Sequence, residues 1–215
     1  MTTKDEESSR TEDILVVYAS QTGNCEQAAQ QFCAKASERL EKKKNVNIVA
    51  RYSTMDDFIE QKKCEWPRLV VVMTSSYGVG QAPLGGYRFR AFCDALLDET
   101  TTTTPPMLSS LTYAMLGLGD SMYTTFFENP TTIDDALTKA GATRVGPLGK
   151  ADASSGKQLE VIDEWMEGIW SELEKVVYDT TPPTDDQMQD MITSTQAYCR
   201  NLFPDLYPTS DNKNK

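Results

Sequence analysis

Short runs of consecutive apolar residues alternate along this chain with longer segments of helical periodicity, and that alternation narrows the fold sharply. Residues 13–19 contain Ile14-Leu15-Val16-Val17, residues 68–74 contain Leu69-Val70-Val71-Val72-Met73, and residues 111–118 form a third run. Continuous apolarity rich in β-branched side chains marks strands covered on both faces. Residues 46–52 read as another strand and residues 144–148 as a short fifth. Between the strands lie helices. Cys25, Ala29, Phe32, Cys33, Ala36 and Leu40 share one helical face, closed by positive charge at 42–45 where the helix dipole favours it. Phe89, Phe92, Cys93 and Leu96 do the same over residues 84–97. Pro130 at a start and Gly141 at an end bound a helix carrying Ile133, Ala136, Leu137 and Ala140. Residues 158–177 set Leu159, Ile162, Met166, Ile169, Leu173 and Val176 on one stripe, with Trp165 and Trp170 beside it as core packing. Such alternation builds a parallel sheet with helices on both faces. The expectation is an α/β, doubly wound, five-stranded sheet in the order 2-1-3-4-5, with its ligand site outside the carboxyl ends of the strands.

A chain of 215 residues accommodates one such domain with trimmings. Residues 1–12 read as a disordered acidic tail, residues 13–177 as the domain, and residues 178–215 as a linker and tail. Thr184 caps a possible helix over 185–202 carrying Met188, Met191, Ile192, Thr195 and Cys199. The polar start fits neither a signal peptide nor a transit peptide, so a cytoplasmic protein is expected. The net charge of −11 argues against nucleic acid and against anionic lipid, and no apolar stretch approaches a membrane span. There is no histidine, which removes Ser-His-Asp and Cys-His nucleophilic sites and His-ligated zinc. Five cysteines without a C-x-x-C pair speak against zinc ribbons, iron–sulfur clusters and secreted disulfide frameworks, so reduced thiols are expected. Redox or group-transfer chemistry in such a chain belongs to a bound cofactor.

Three turns leave the carboxyl ends of strands. In the first, Ser20, Gln21, Thr22, Gly23 and Asn24 offer hydroxyls, amides and backbone N–H groups at a helix N-terminus, a place that favours an anion. Neither G-x-x-x-x-G-K-[ST] nor G-x-G-x-x-G is present, and a cradle without lysine or arginine suits a single monoester phosphate better than a magnesium triphosphate. The second turn sets Tyr77 beside Gly78 and Gly80, and the third sets Tyr123 after Gly117 and Gly119. Two tyrosines from neighbouring strand ends, next to a phosphate cradle, can sandwich a flat phosphorylated ring.

The stretches Tyr18-Ala19-Ser20-Gln21-Thr22-Gly23-Asn24, Ser76-Tyr77-Gly78-Val79-Gly80 and Leu116-Gly117-Leu118-Gly119-Asp120-Ser121, with Tyr123 and Phe126, resemble the FMN-binding, flavodoxin-like domain of the diflavin reductases. That group includes microsomal cytochrome reductases, methionine synthase reductase, the nitric oxide synthase reductase half and the sulfite reductase flavoprotein. Residues 140–152 are similar to the family's fifth-strand segment. The resemblance implies that Ser20, Gln21, Thr22, Gly23, Asn24 and Cys25 hold the FMN phosphate. Ser75, Ser76, Tyr77 and Gly78 would lie along one face of the isoalloxazine, with the Gly78 carbonyl tuning the flavin. Leu118, Gly119, Asp120, Ser121, Met122, Tyr123, Thr124, Thr125, Phe126 and Phe127 would cover the other face, Tyr123 as the stacking ring. Asp152 would sit near the flavin or ribityl edge. Val79, Gln81 and Ala82 stand where the family carries acidic residues. Cys25, at a helix N-terminus, is either a thiol of lowered pKa or, as favoured here, a buried spacer beside the phosphate.

The implied function is FMN-mediated electron transfer: electrons enter from an FAD/NADPH reductase module, in cis or in trans, and leave singly to a protein acceptor. Asp120, Glu128, Asp134 and Asp135 would form an acidic margin that attracts a basic redox partner. The acids of residues 160–190 read as the wet face of a helix. The alternatives are an NAD(P)H:quinone-type FMN reductase and a flavodoxin-like interaction module without cofactor.

Overall fold

The computed structural model describes residues 10–41, 45–99 and 104–207. The basic segment 42–44, the tail residues 1–9, most of the threonine run and residues 208–215 lie outside them. The chain runs β1 (Arg10–Tyr18), α1 (Asn24–Leu40), β2 (Val46–Thr54), α2 (Met55–Glu60), β3 (Leu69–Ser75), α3 (Tyr87–Asp98), β4 (Thr112–Gly119), α4 (Glu128–Lys139), β5 (Thr143–Arg144), β6 (Gly149–Asp152), α5 (Gln158–Asp179) and α6 (Asp185–Leu202). All strand pairs are parallel, in the order β2-β1-β3-β4-β5, and β6 also pairs with β4. The expected order 2-1-3-4-5 is the observed one.

Successive side chains of a strand point to opposite faces, and the core divides accordingly. Leu15, Val17, Val70, Val72, Tyr113 and Met115 pack on one side with α2, α3, α4 and α6. Ile14, Val16, Leu69, Val71, Met73, Ala114 and Leu116 pack on the other with α1 and α5. Phe32 of α1 stacks on Trp170 of α5 at 4.2 Å between ring centroids, so Trp170 is core, as expected. Both faces of the central strands are thus sealed, and the edge at their carboxyl ends is where the turns can open a site.

Several local features depart from the sequence reading. β1 begins at Arg10, because Glu12 is buried against Arg68, which donates to both its carboxylate oxygens at 2.7 Å. Arg68 also donates to the Val176 carbonyl and Arg10 to that of Val177, tying the start of β1 to the end of α5. The short helix α2 was not foreseen; Thr54 caps it by accepting from the Asp57 N–H. The fifth strand is two pieces, Thr143–Arg144 and Gly149–Asp152, separated by a segment with Gly146 at φ +67° and Pro147. Leu159 is not on the buried stripe of α5: it is 62% exposed.

The helix over 185–202 forms with Thr184 in a capping box with Gln187. Met191, Thr195 and Cys199 bury against the face that holds Phe92 and Cys64. Cys64 and Cys199 are joined as a disulfide, correcting the expectation of five reduced thiols. Thr195 adds a hydrogen bond to the Cys64 carbonyl at 3.2 Å.

Candidate functional site

Three lips rise from the carboxyl edge around a cleft of about 380 Å³. The first connects β1 to α1. Gly23 occupies the N-cap of α1 at φ +91°, a conformation glycine adopts without strain, and no side chain caps the helix. The first-turn N–H groups of any helix lack intrahelical acceptors, and here they open beside Ser20, Gln21, Thr22, Asn24 and Cys25, all of which line the cleft. The Ser20 hydroxyl accepts from the Gly23 N–H at 3.0 Å and fixes the turn. The Cys25 thiol, buried beside the Ser20 and Ser75 hydroxyls, has its pKa pushed up to about 12 by burial. That overturns the lowered-pKa alternative: the helix N-terminus does not offset the desolvation of a buried thiolate.

The second lip follows β3. Tyr77 and Gln81 exchange backbone hydrogen bonds at 3.0 and 2.9 Å, closing a tight loop over Gly78 and Gly80, both at positive φ. Ser75, Ser76, Tyr77 and Gly78 face the cleft. The third lip follows β4 and is wound in consecutive turns, with Tyr123 N–H donating to Asp120 and Phe126 N–H to Tyr123. Leu118, Gly119, Asp120, Tyr123, Thr125 and Phe126 line the cleft. The Thr125 hydroxyl donates to the Gly78 carbonyl at 3.2 Å and joins the second and third lips.

Six residues expected at the site do not line it. Gly23 supplies the turn of the first lip. Phe127 is buried beneath the third lip against Gly117, whose added Cβ would lie 2.4 Å from the Phe127 ring. Met122 is 81% exposed and, like Ser121 and Thr124, lies outside the lining. Asp152 accepts from the Ser121 and Ser154 N–H groups at 2.9 and 3.0 Å. Hydrogen bonds from the Ser121 side chain and backbone, with those of Ser154, hold its pKa down to about 2. It anchors the third lip to the end of β6.

Two lining residues were missed, Ala153 and Gln158. Gln158 opens α5 and spans the floor: its Nε2 donates to the Gly119 and Ala151 carbonyls, and its Oε1 accepts from Asn24 Nδ2 at 3.0 Å. No motif marks it; only its place at the start of the last helix, beside the end of the fifth strand, hints at this edge.

The chemistry of the cleft follows from its lining. Among the described residues its lining contains neither lysine nor arginine, and Asp120 is its only formal charge. The first lip offers neutral donors to an anionic group. Tyr77 and Tyr123 stand 49% and 63% exposed on separate lips, and neither is paired with another ring among the described residues. A flat, largely apolar ring bearing one phosphate fits that donor set. The acidic margin is smaller than expected: Asp134 turns inward, is bonded by the Tyr113 hydroxyl at 2.6 Å and pairs with Arg144, because it lies on the buried side of α4. A larger groove of about 920 Å³ lies between α6 and the loop before β4, away from these lips.

Residues 16–165 match the flavodoxin family. The chain belongs to that family. It is 34% identical over 158 residues to the NADPH–cytochrome P450 reductase of Saccharomyces cerevisiae, covering 73% of this chain and 21% of that protein. It is 31% identical over 163 residues to the methionine synthase reductase of Caenorhabditis elegans, covering 75% and 22%. A Thiocapsa roseopersicina sulfite reductase flavoprotein alpha-component is 34% identical over 139 residues, covering 64% and 23%. These relatives are diflavin reductases, and the chain spans between a fifth and a quarter of the length of each. Among solved structures, a flavodoxin from Pseudomonas aeruginosa superposes with a TM-score of 0.56 at 21% identity, over 75% of this chain and 99% of that one. The fold and the relatives point to FMN binding. Among the described residues no helix is long and apolar enough to cross a membrane.

Proposed function

We propose that this flavodoxin-family domain binds FMN in the cleft and carries electrons from an FAD/NADPH reductase module, in cis or in trans, to a protein acceptor. The observation that carries the reading is the pairing of a cation-free donor cradle at the start of α1 with two unpartnered tyrosines on the adjoining lips. When bound, FMN supplies the redox chemistry, taking up and giving out electrons at its ring. The protein binds and orients. Ser20, Gln21, Thr22, Asn24 and the first-turn N–H groups would receive the phosphate, where the helix dipole favours negative charge. Tyr123 and Tyr77 would cover the ring, and Tyr123 would keep a nicotinamide from stacking on its face. Gly78, its carbonyl held by Thr125, would present backbone to the ring edge. Asp120, at the cleft, and Glu128, against Gly80, would leave a negative margin suited to a basic acceptor.

The test is rapid mixing of the FMN-loaded protein with NADPH alone. The shuttle reading expects no flavin reduction on the millisecond-to-second scale until a diflavin-type FAD module is added. Fast bleaching by NADPH alone would replace it with a quinone-reductase reading, in which the flavin takes hydride directly.

A further inference from the structure

Asn129 is fully buried, and it is one of five buried polar residues among those described. Thr74, another fully buried one, is its partner. Asn129 lies in the first turn of α4, outside every motif of the sequence, yet its bonds run to three consecutive residues at the root of the second lip. Its Nδ2 donates to Thr74 Oγ1 at 3.1 Å and to the Ser75 carbonyl at 3.0 Å. Its backbone N–H donates to Ser76 Oγ at 3.0 Å. Its Oδ1 accepts from Arg90 Nη1 at 3.0 Å. This orientation satisfies both ends of the amide, since a guanidinium can only donate and a carbonyl only accept. Arg90 carries the chain of bonds onward: the same Nη1 reaches the Gly80 carbonyl at 3.3 Å, while Nε pairs with Asp94 of its own helix at 2.8 Å.

The two ends of the second lip, Ser75–Ser76 and Gly80, are therefore tied to one unit built from α3 and α4, in which Asn129 is buried and Arg90 partly so. We propose that the Asn129–Arg90 pair is the positioning device of the flavin site: it sets the conformation of the 75–80 loop and through it the affinity and potentials of the bound FMN. Neither side chain lines the cleft. The pair acts through Ser75, Ser76, Tyr77 and Gly78, which do. A buried amide with all its bonds made holds the loop at little cost, whereas removing it takes a donor from the Thr74 hydroxyl and the Ser75 carbonyl and leaves Arg90 Nη1 only the longer bond to Gly80. The inference rests on the FMN reading for its second half, and its first half concerns the loop alone.

The experiment uses Asn129→Ala and, as a milder cut, Arg90→Gln in the full chain. In flavin-free protein, amide hydrogen exchange over residues 75–81 should quicken in both variants while β1, β3 and β4 keep their protection. In the FMN-bound protein, Asn129→Ala should weaken FMN binding by about tenfold, as expected for loss of a buried hydrogen bond that orders the site. It should also change the separation between the two one-electron midpoint potentials, which a purely structural role would not move. Unchanged exchange at 75–81 would overturn the positioning role, even if urea stability fell. Quickened exchange with unaltered affinity and potentials would overturn its reach to the flavin. If wild-type protein takes up no FMN, the functional reading fails instead, and the exchange result still decides whether the pair fixes the loop.

Discussion

Replacing Tyr123 by alanine probes the ring-binding lip with little risk to the fold, because 63% of the residue is exposed. A tyrosine offers on the order of 200 Å² of surface. The exposed share is then about 125 Å², and a flavin lying on one face would cover roughly half of it. At about 25 cal/mol per Å² that burial contributes about 1.5 kcal/mol, and ring–ring contact adds about 0.5–1 kcal/mol. Tyr123→Ala should therefore weaken FMN binding by about 2 kcal/mol, or roughly thirtyfold. Tyr77, 49% exposed, should give a smaller loss by the same reasoning. Tyr87 is 56% exposed but does not line the cleft, so Tyr87→Ala serves as the matched control and should change nothing. Titration of flavin-free protein with FMN, followed by quenching of flavin fluorescence, measures all three. A Tyr123→Ala affinity no different from that of the Tyr87 control would refute the stacking role.

Asp152 has its pKa lowered from 3.8 to about 2 in the folded protein, so the bonds it makes are fully favourable above pH 4 and are lost as pH falls through about 2. Asp152→Asn should therefore weaken FMN binding most above pH 4, and the gap to wild type should close as pH falls towards 2, as read by flavin fluorescence. A Cβ at Gly119 would lie 2.7 Å from the Phe126 ring, so Gly119→Ala should impair FMN binding, whereas Gly168→Ala meets open space on α5 and should raise stability to urea by up to about 1 kcal/mol. With a pKa of about 12, Cys25 is thiolate to only about one part in ten thousand at pH 8, so peptide mapping after alkylation of the folded protein should find it unmodified. Reduction of a basic acceptor such as cytochrome c should slow as ionic strength rises, and a flat salt response would leave Asp120 and Glu128 without the proposed role.

The strands and the lips were readable because each is written in neighbouring residues. A buried parallel strand shows as an unbroken apolar run, and a turn shows as its own glycines and hydroxyls. What escaped depends on partners far along the chain. Glu12 reads as a tail charge until Arg68 is brought beside it, and Asp134 reads as a rim charge until Arg144 and Tyr113 meet it. The Cys64–Cys199 pair is separated by 135 residues and carries no spacing signature. The six residues of α2 are too few to display a helical period. Gln158 and Asn129 are single polar residues whose importance comes only from the carbonyls and amides placed around them.

The most direct test of the central claim is an equilibrium titration of purified, flavin-free protein with FMN, read by absorbance and by fluorescence quenching. Saturation at one FMN per chain, with riboflavin, which lacks the phosphate, binding far more weakly, is the result expected of a cleft that reads both ring and phosphate. A protein that stays colourless and takes up no FMN would contradict the account.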